Sequence, residues 1–350
     1  MSGLMAETIA SEHDGLDQVP GRKKSRKSKK DKSNEPIEGK SPFQIAMGRL
    51  RQDKLAVTCA AIVLLLLLLG LLAPIINSLL HISAYQDGQY SLNNAEALEF
   101  DGLPKTGPPL YGFDPAHPLG LEPQTAQDNL ARLLLGIRTS LFVATTATVL
   151  STLIGVVIGL VAGFSRGWLD RIISFFTDLF LSFPFILGAL ALTPILVSRF
   201  GGDAASLGRA QLVALITILT VFGWMGLARL VRGQVLSLRE REFIQAAQVI
   251  GAPTTRILFR ELLPNLVAPI VIAISLGLPG YVAAEAGLSF LGIGLSGVPS
   301  LGQTVNNAVT WYESYPLYLW APVVTIAVLV LALNLLGDSI RDAFDPKTRR

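Results

Sequence analysis

The sequence predicts an all-α, polytopic membrane fold with six transmembrane helices. Three observations carry that prediction. Only 16% of the 350 residues are charged, and the mean hydropathy is +0.49; soluble domains carry about 25% charged residues. Six apolar stretches approach or exceed the roughly 20 residues needed to cross a bilayer. Lys and Arg are also spread unevenly over the connections between those stretches.

Residues 1–54 are polar and contain the basic run from Arg22 to Lys32. Nothing in them could build a core, so they are predicted to be a disordered tail. A basic run beside a membrane helix reads as a cytoplasmic tail touching anionic membrane lipid, in preference to a nucleic-acid arm.

The first span is placed at 55–80, with six consecutive leucines from Leu64 to Leu69. It is longer than a signal-peptide core and follows a long tail, so it is read as a retained anchor. Its Cys59 is the only cysteine, which excludes an internal disulfide. His13, His81 and His117 share no metal-ligand spacing, so no metal site is expected.

Residues 81–138 are rich in Pro and Gly and are predicted to form an extracytoplasmic loop. Its end has Leu130, Leu133, Leu134 and Ile137 at helical spacing, which predicts a short amphipathic helix along the interface. Five further spans follow near 139–164, 172–197, 211–231, 266–295 and 321–340. With the N-terminus inside, the inner segments hold 24 Lys and Arg and the outer segments five. That asymmetry puts both termini in the cytoplasm, including the 342–350 tail, and makes the 232–265 stretch cytoplasmic too.

The 232–265 stretch predicts a helix–turn–helix. Its first helix, around 235–250, carries the small residues Ala246 and Ala247 and a stripe of Phe243, Ala247 and Ile250. Gly251 suits the left-handed residue that ends a helix, and Pro253 the first turn of the next. The second helix is expected to stop before Pro264. A short helix with small residues on one face can dock closely into a groove of another protein.

Gln245-Ala246-Ala247, then Gly251, then Leu263-Pro264, resembles the "EAA" loop of binding-protein-dependent ATP-binding-cassette importer permeases. Gly226 to Leu238, Ala284-Glu285 to Gly292, and Asn334 to Pro346 resemble the dipeptide/oligopeptide permease of the "C" type. The resemblance covers roughly residues 40–350. It implies a type I importer core of five helices over 139–341, preceded by one extra helix. It implies a coupling loop at 232–265 that enters a cleft of an ATPase subunit, using Glu242, Gln245, Ala246, Ala247, Gly251, Leu263 and Pro264.

The resemblance further implies a homologous second permease, two ATP-binding-cassette ATPase domains and an extracytoplasmic solute-binding protein. It also implies a setting in the bacterial inner membrane. No cofactor is expected on this chain, because it has no phosphate-binding Gly-x-x-x-x-Gly-Lys-[Ser/Thr] loop and ATP would sit on the partner. Two departures stand out. Gln245 replaces the family's usual Glu, with Glu242 a turn earlier and out of register. His117-Pro-Leu-Gly120 continues with Leu-Glu-Pro-Gln-Thr-Ala-Gln-Asp instead of the family's Asp/Gly/Arg-rich stretch.

Asp178, Glu285, Asn334 and Asp338 fall in or near apolar spans, where an ionisable group needs a partner or water. Asp338 sits beside Arg341, and Asp178 can pair with Arg229 or Arg232; Glu285 is open between pore lining and packing. Pro279, inside Gly277-Leu-Pro-Gly280, is expected to interrupt the fifth span, either as part of a transport path or as packing curvature.

Gly294-Leu-Ser-Gly297 matches a rhomboid-protease pattern, but no histidine follows His117 to serve as base. An enzyme is therefore not expected. The predicted function is import of di- or oligopeptides by alternating access. The same fold importing nickel or another small solute, or an ion-coupled secondary transporter, are the alternatives.

Overall fold

In the computed structural model the described residues are 42–85, 89–108, 110, 112–200, 204–295 and 297–345. They belong to one compact unit within 41–350. The basic run 22–32, His13, Ser296 and the last five residues lie outside them. Among the described residues the fold is helical, with two isolated β-bridges and no strand.

Helix α1 (Pro42–Gln52) precedes α2 (Lys54–Leu80). The predicted disordered tail is thus corrected at its end. Residues 42–52 are helical because they have something to pack on. Phe43 meets Phe344, ring centroids 6.4 Å apart, and Arg49 Nη1 donates to the carbonyls of Ala343 and Asp345 at 3.2 and 3.0 Å. A cation on the last carbonyls of a helix complements its dipole. Asp53 caps α2 by accepting from the Leu55 amide at 2.9 Å, and it accepts from Ser339 Oγ at 2.9 Å.

After the short α3 (Asn94–Ala97) comes α4 (Asn129–Phe164), the longest helix named so far at 36 residues. The separate interfacial helix expected at 128–138 does not exist; this stretch is the first third of α4. Its apolar stripe faces protein, with Leu134 and Ile137 buried. Hydrophobic spacing alone does not distinguish a stripe bound for lipid headgroups from one bound for a core.

Helices α5 (Trp168–Ser182) and α6 (Phe185–Phe200) replace the single third span and bend by 91°. The break is local. Pro184 supplies no amide hydrogen, and the residue before it, Phe183, takes extended angles (φ −83, ψ 129) as pre-proline sterics favour.

Helices α7 (Ala204–Val221) and α8 (Trp224–Leu238) follow, and apolar residues run through both from Leu207 to Leu238. Then come α9 (Glu242–Val249), α10 (Thr254–Arg256), a π-turn at Ile257–Leu262, and α11 (Leu263–Leu288). A second π-turn (Ser289–Ile293), α12 (Leu301–Ala308), a 3₁₀ turn (Val309–Trp311) and α13 (Pro316–Phe344) complete the chain. Five of these helical runs are long and apolar enough to cross a membrane, and the bent α5–α6 pair makes a sixth if it is one span.

Two expectations about prolines are corrected. The helix before Pro264 does not stop; it continues into α11. The π-turn receives the proline, with the Leu263 amide reaching back to the Leu258 carbonyl. Nor does Pro279 interrupt the fifth span, because it sits buried inside an unbroken α11.

The close approach of α4 and α8 organises the bundle. Gly155, Gly159 and Gly163 recur every fourth residue and form a groove on α4. A Cβ there would fall 2.8 Å from Trp224 O, 2.7 Å from Ala228 O and 2.6 Å from Val235 Cβ. Small residues at this spacing let membrane helices touch backbone to backbone.

Candidate functional site

The elbow between the fourth and fifth spans is built on one apolar cluster. Val231 and Val235 of α8, Ile244 of α9, Ile257 and Leu262 of the π-turn, and Leu266 of α11 are all buried together, with Leu160 of α4. The elbow is therefore bolted to α4 and α8.

Its first helix is shorter than expected. α8 runs on to Leu238, the chain turns at 239–241, and α9 holds only Glu242 to Val249. The inward face also differs from the expected stripe. Ile244 is fully buried and Ala247 half-buried, while Phe243 and Ile250 point away. Ile244 is the anchor because it lies three residues from Ala247, on the same helix face.

Gly251 ends α9 with φ +81. Its amide donates to Gln248 O and the Ala252 amide to Ala247 O, both at 3.0 Å, the paired bonds of a Schellman turn. Pro253 is the N-cap of α10, one position before the first turn. Glu242, Gln245 and Ala246 are exposed, and Gln245 Nε2 folds back to Glu240 O at 3.3 Å. Leu263 is half-buried on the cluster and Pro264 exposed. The outer tip is apolar: Val249 is 88% and Ile250 84% exposed, with Phe243 and Phe259 open beside them. Exposed apolar groups clustered in this way are the kind of surface that proteins or membranes cover.

The charged and polar residues of the spans fall in distinct environments. Asp178 of α5 pairs with Arg229 of α8, Nη2 to Oδ1 2.6 Å, and both side chains are more than half exposed. Asp170, which the sequence reading passed over, grips Arg232 through two bonds of 2.7 and 2.9 Å. Glu285 faces no open surface; it is fully buried, accepts from Ser289 Oγ at 2.8 Å and also faces the hydroxyls of Ser140 and Ser300. Asn334 is exposed, its Nδ2 donating to Val330 O at 2.9 Å. Asp338 is exposed and forms no ion pair with Arg341 among the described residues.

Beyond the spans, residues 81–128 lean on a second polar centre that sequence reasoning missed. Glu122 and Arg132, both buried, pair at 2.8 Å, and the Tyr318 hydroxyl of α13 donates to the same carboxylate. Asp128 caps α4 by accepting from the Ala131 amide and also meets His117 Nδ1 at 2.7 Å.

A family model for the binding-protein-dependent transport system inner membrane component matches residues 155–350. The chain belongs to this permease family. A second model, the N-terminal transmembrane domain of oligopeptide transport permease C, matches residues 41–95. The oligopeptide transport system permease protein OppC of Bacillus subtilis is 31% identical, over 89% of this chain and 91% of its own. A dipeptide transport system permease protein DppC of Alkalihalophilus pseudofirmus is 33% identical, over 88% and 91%. OppC of Escherichia coli is 31% identical, over 89% and 94%. A chain from an inward-facing MetNI methionine ABC transporter shares the fold, with a TM-score of 0.50 and 23% identity over 61% of this permease and 96% of that chain.

The permease is thus a multi-pass membrane subunit of a transport system, and its family is not one of enzymes. The elbow, with α8 and α11 on either side, falls inside the matched 155–350 region.

Proposed function

We propose that this permease forms one half of the translocation path of an ATP-driven importer of di- and oligopeptides. The observation that carries the coupling role is the elbow: anchored beneath by Ile244, Ile257 and Leu262, it presents Ala246, Val249 and Ile250 outward. An ATPase subunit grips that apolar tip, and ATP is bound and hydrolysed there, not on this chain. A homologous permease completes the pore, a second ATPase domain serves it, and an extracytoplasmic binding protein delivers the solute.

Both termini and the elbow face the cytoplasm, as the Lys and Arg asymmetry supports. The basic tail touches anionic lipid. Closure of the ATPase dimer pulls the elbow. The elbow moves α8 and α11 together because it shares one cluster with them, and the bundle rocks between inward- and outward-facing states. Peptides are the proposed solute because relatives at 31–33% identity over nearly nine-tenths of the chain are named for them.

Ala246→Trp in the assembled transporter tests the coupling. Ala246 is exposed, so a bulky side chain leaves the anchoring cluster intact and obstructs the partner's cleft. Peptide uptake into proteoliposomes should fall at least about tenfold while membrane insertion is unchanged, a loss of docking energy of roughly 1.4 kcal/mol or more. Uptake equal to wild type would remove the elbow from the coupling path.

A further inference from the structure

The two ion pairs between α5 and α8 are built differently, and the difference points to a binding site. Arg232 and Asp170 face each other as two forks with two bonds, and both are mostly covered. Arg229 and Asp178 share one bond, Nη2 to Oδ1, and their side chains are 59% and 62% exposed. The first pair clamps the helices. The second leaves guanidinium N–H groups and one carboxylate oxygen facing an open cleft of about 350 Å³. The rest of its wall mixes the small and hydroxyl side chains Ala162, Ser174, Thr177 and Ala228 with the apolar Ile158 and Ile173 and with Arg232.

Depth decides what that cleft faces. Arg229 lies two residues before the cytoplasmic end of the predicted fourth span, 211–231, and nine residues before the end of α8. An exposed ion pair at that level is costly against hydrocarbon and is satisfied where water or protein meets it. The open side of the pair therefore looks onto a wet path or onto another protein chain, not onto lipid. A guanidinium with spare donors recognises a carboxylate by a bidentate fork. A cleft of this volume lies within the range of small-ligand sites.

We propose that Arg229 is a docking point for the terminal carboxylate of a short peptide passing through the transporter, with Asp178 as the resident anion that the peptide displaces. This rests on the peptide-import reading above. Asp178 holds the guanidinium in place while the path is empty and prevents an unpaired cation from trapping the solute. The clamp between Arg232 and Asp170 keeps α5 against α8 while the outer pair opens.

Binding of radiolabelled trialanine, and of trialanine amide, to the nucleotide-free transporter in nanodiscs without its binding protein tests this. Wild type should bind trialanine saturably and the amide about tenfold more weakly, the scale of one charge-assisted contact. Arg229→Gln should weaken trialanine binding by a similar factor. Asp178→Asn should tighten it, because the competing anion is gone. These opposite signs are the discriminating result, since a purely structural pair would be harmed by either change.

No saturable binding in wild type, equal binding of the amide, or both variants shifting the same way overturns the site. ATP-driven uptake with the binding protein judges the parent reading separately. Peptide uptake without Arg229-dependent binding sinks the docking point alone, and no uptake of any peptide by wild type sinks the import reading.

Discussion

Arg232 of α8 holds Asp170 of α5 in a two-pronged contact, Nε to Oδ1 at 2.7 Å and Nη2 to Oδ2 at 2.9 Å, across a sequence separation of 62 residues. α5 is otherwise lightly attached: Thr177 is its only buried residue. The pair is therefore the main polar link between the bent third span and the helix that leads into the elbow. Arg232→Lys keeps the charge and loses the fork, so it should lower the transporter's melting temperature less than Arg232→Ala. Charge-assisted bonds contribute about 1.5–3 kcal/mol each when made, and partial exposure places this pair near the lower end. Equal melting of wild type, Lys and Ala variants would show that α5 is held by its apolar face alone.

The glycine groove of α4 makes a sharper prediction. At Gly159 a Cβ would sit 2.7 Å from both Ala228 O and Val231 Cβ. Neither is the far end of a flexible side chain, so α4 and α8 must separate. Gly159→Val should therefore destabilise the assembled transporter by about 1–3 kcal/mol, as overpacking does, read as a drop in melting temperature. Gly226→Val on α8, where a Cβ meets nothing within 4 Å, is the matched control and should leave it unchanged.

How legible these features were depends on how local their causes are. Five of the six apolar spans and Gly251's place at the end of α9 followed from neighbouring residues, and the structure keeps them. The Pro184 break was equally local, since a proline halfway along an apolar run stops the helix before it, but hydropathy averages over such a residue. The Gly155, Gly159 and Gly163 spacing was visible too; it becomes meaningful only once α8 is known to lie against it. Asp170 was missed because it lay outside the predicted span, and its partner Arg232 was assigned to Asp178 as an alternative. The contact of Tyr318 with Glu122 spans 196 residues and had no local signal. The helix at 42–52 likewise depends on Ala343, Phe344 and Asp345 at the far end of the chain.

The buried Glu122–Arg132 pair should be among the costliest to break. Each side chain is 7% exposed, and the carboxylate also accepts from Thr125 Oγ1 at 2.6 Å. Glu122→Gln leaves the Arg132 cation without its counter-charge, a loss of about 3–5 kcal/mol by the usual penalty for an uncompensated buried charge. Limited proteolysis should then cut within 89–128 faster than in wild type. Glu122→Gln combined with Arg132→Gln should bring the rate part of the way back, because no charge remains stranded.

Asp53 provides a pH-dependent case whose sign is fixed. The Ser339 hydroxyl bond, and then the Leu55 amide, hold its carboxyl below the ordinary aspartate value. A carboxyl depressed on folding contributes stability above its unfolded pKa of about 3.9 and loses it as pH falls through the folded value. The melting difference between wild type and Ser339→Ala should thus be the same at pH 6 and pH 8 and shrink only below about pH 4. A difference that changed between pH 6 and 8 would assign the effect to another group.

Gly251 separates the turn's geometry from its surface. Its φ of +81 is a region where an L-residue is strained, yet nothing lies within 4 Å of a Cβ built there. Gly251→Ala therefore meets no clash and acts only through the backbone, at a cost of about 1–2 kcal/mol. That strain falls on the Schellman turn that sets the angle between α9 and α10, and so on the direction in which Val249 and Ile250 point. Asparagine tolerates the left-handed conformation better than alanine does. Peptide transported per ATP hydrolysed should accordingly fall in Gly251→Ala and be largely retained in Gly251→Asn. Equal loss in both variants would mean that the open space around Gly251 is itself occupied by the ATPase, and that contact at this position matters more than the angle of the elbow.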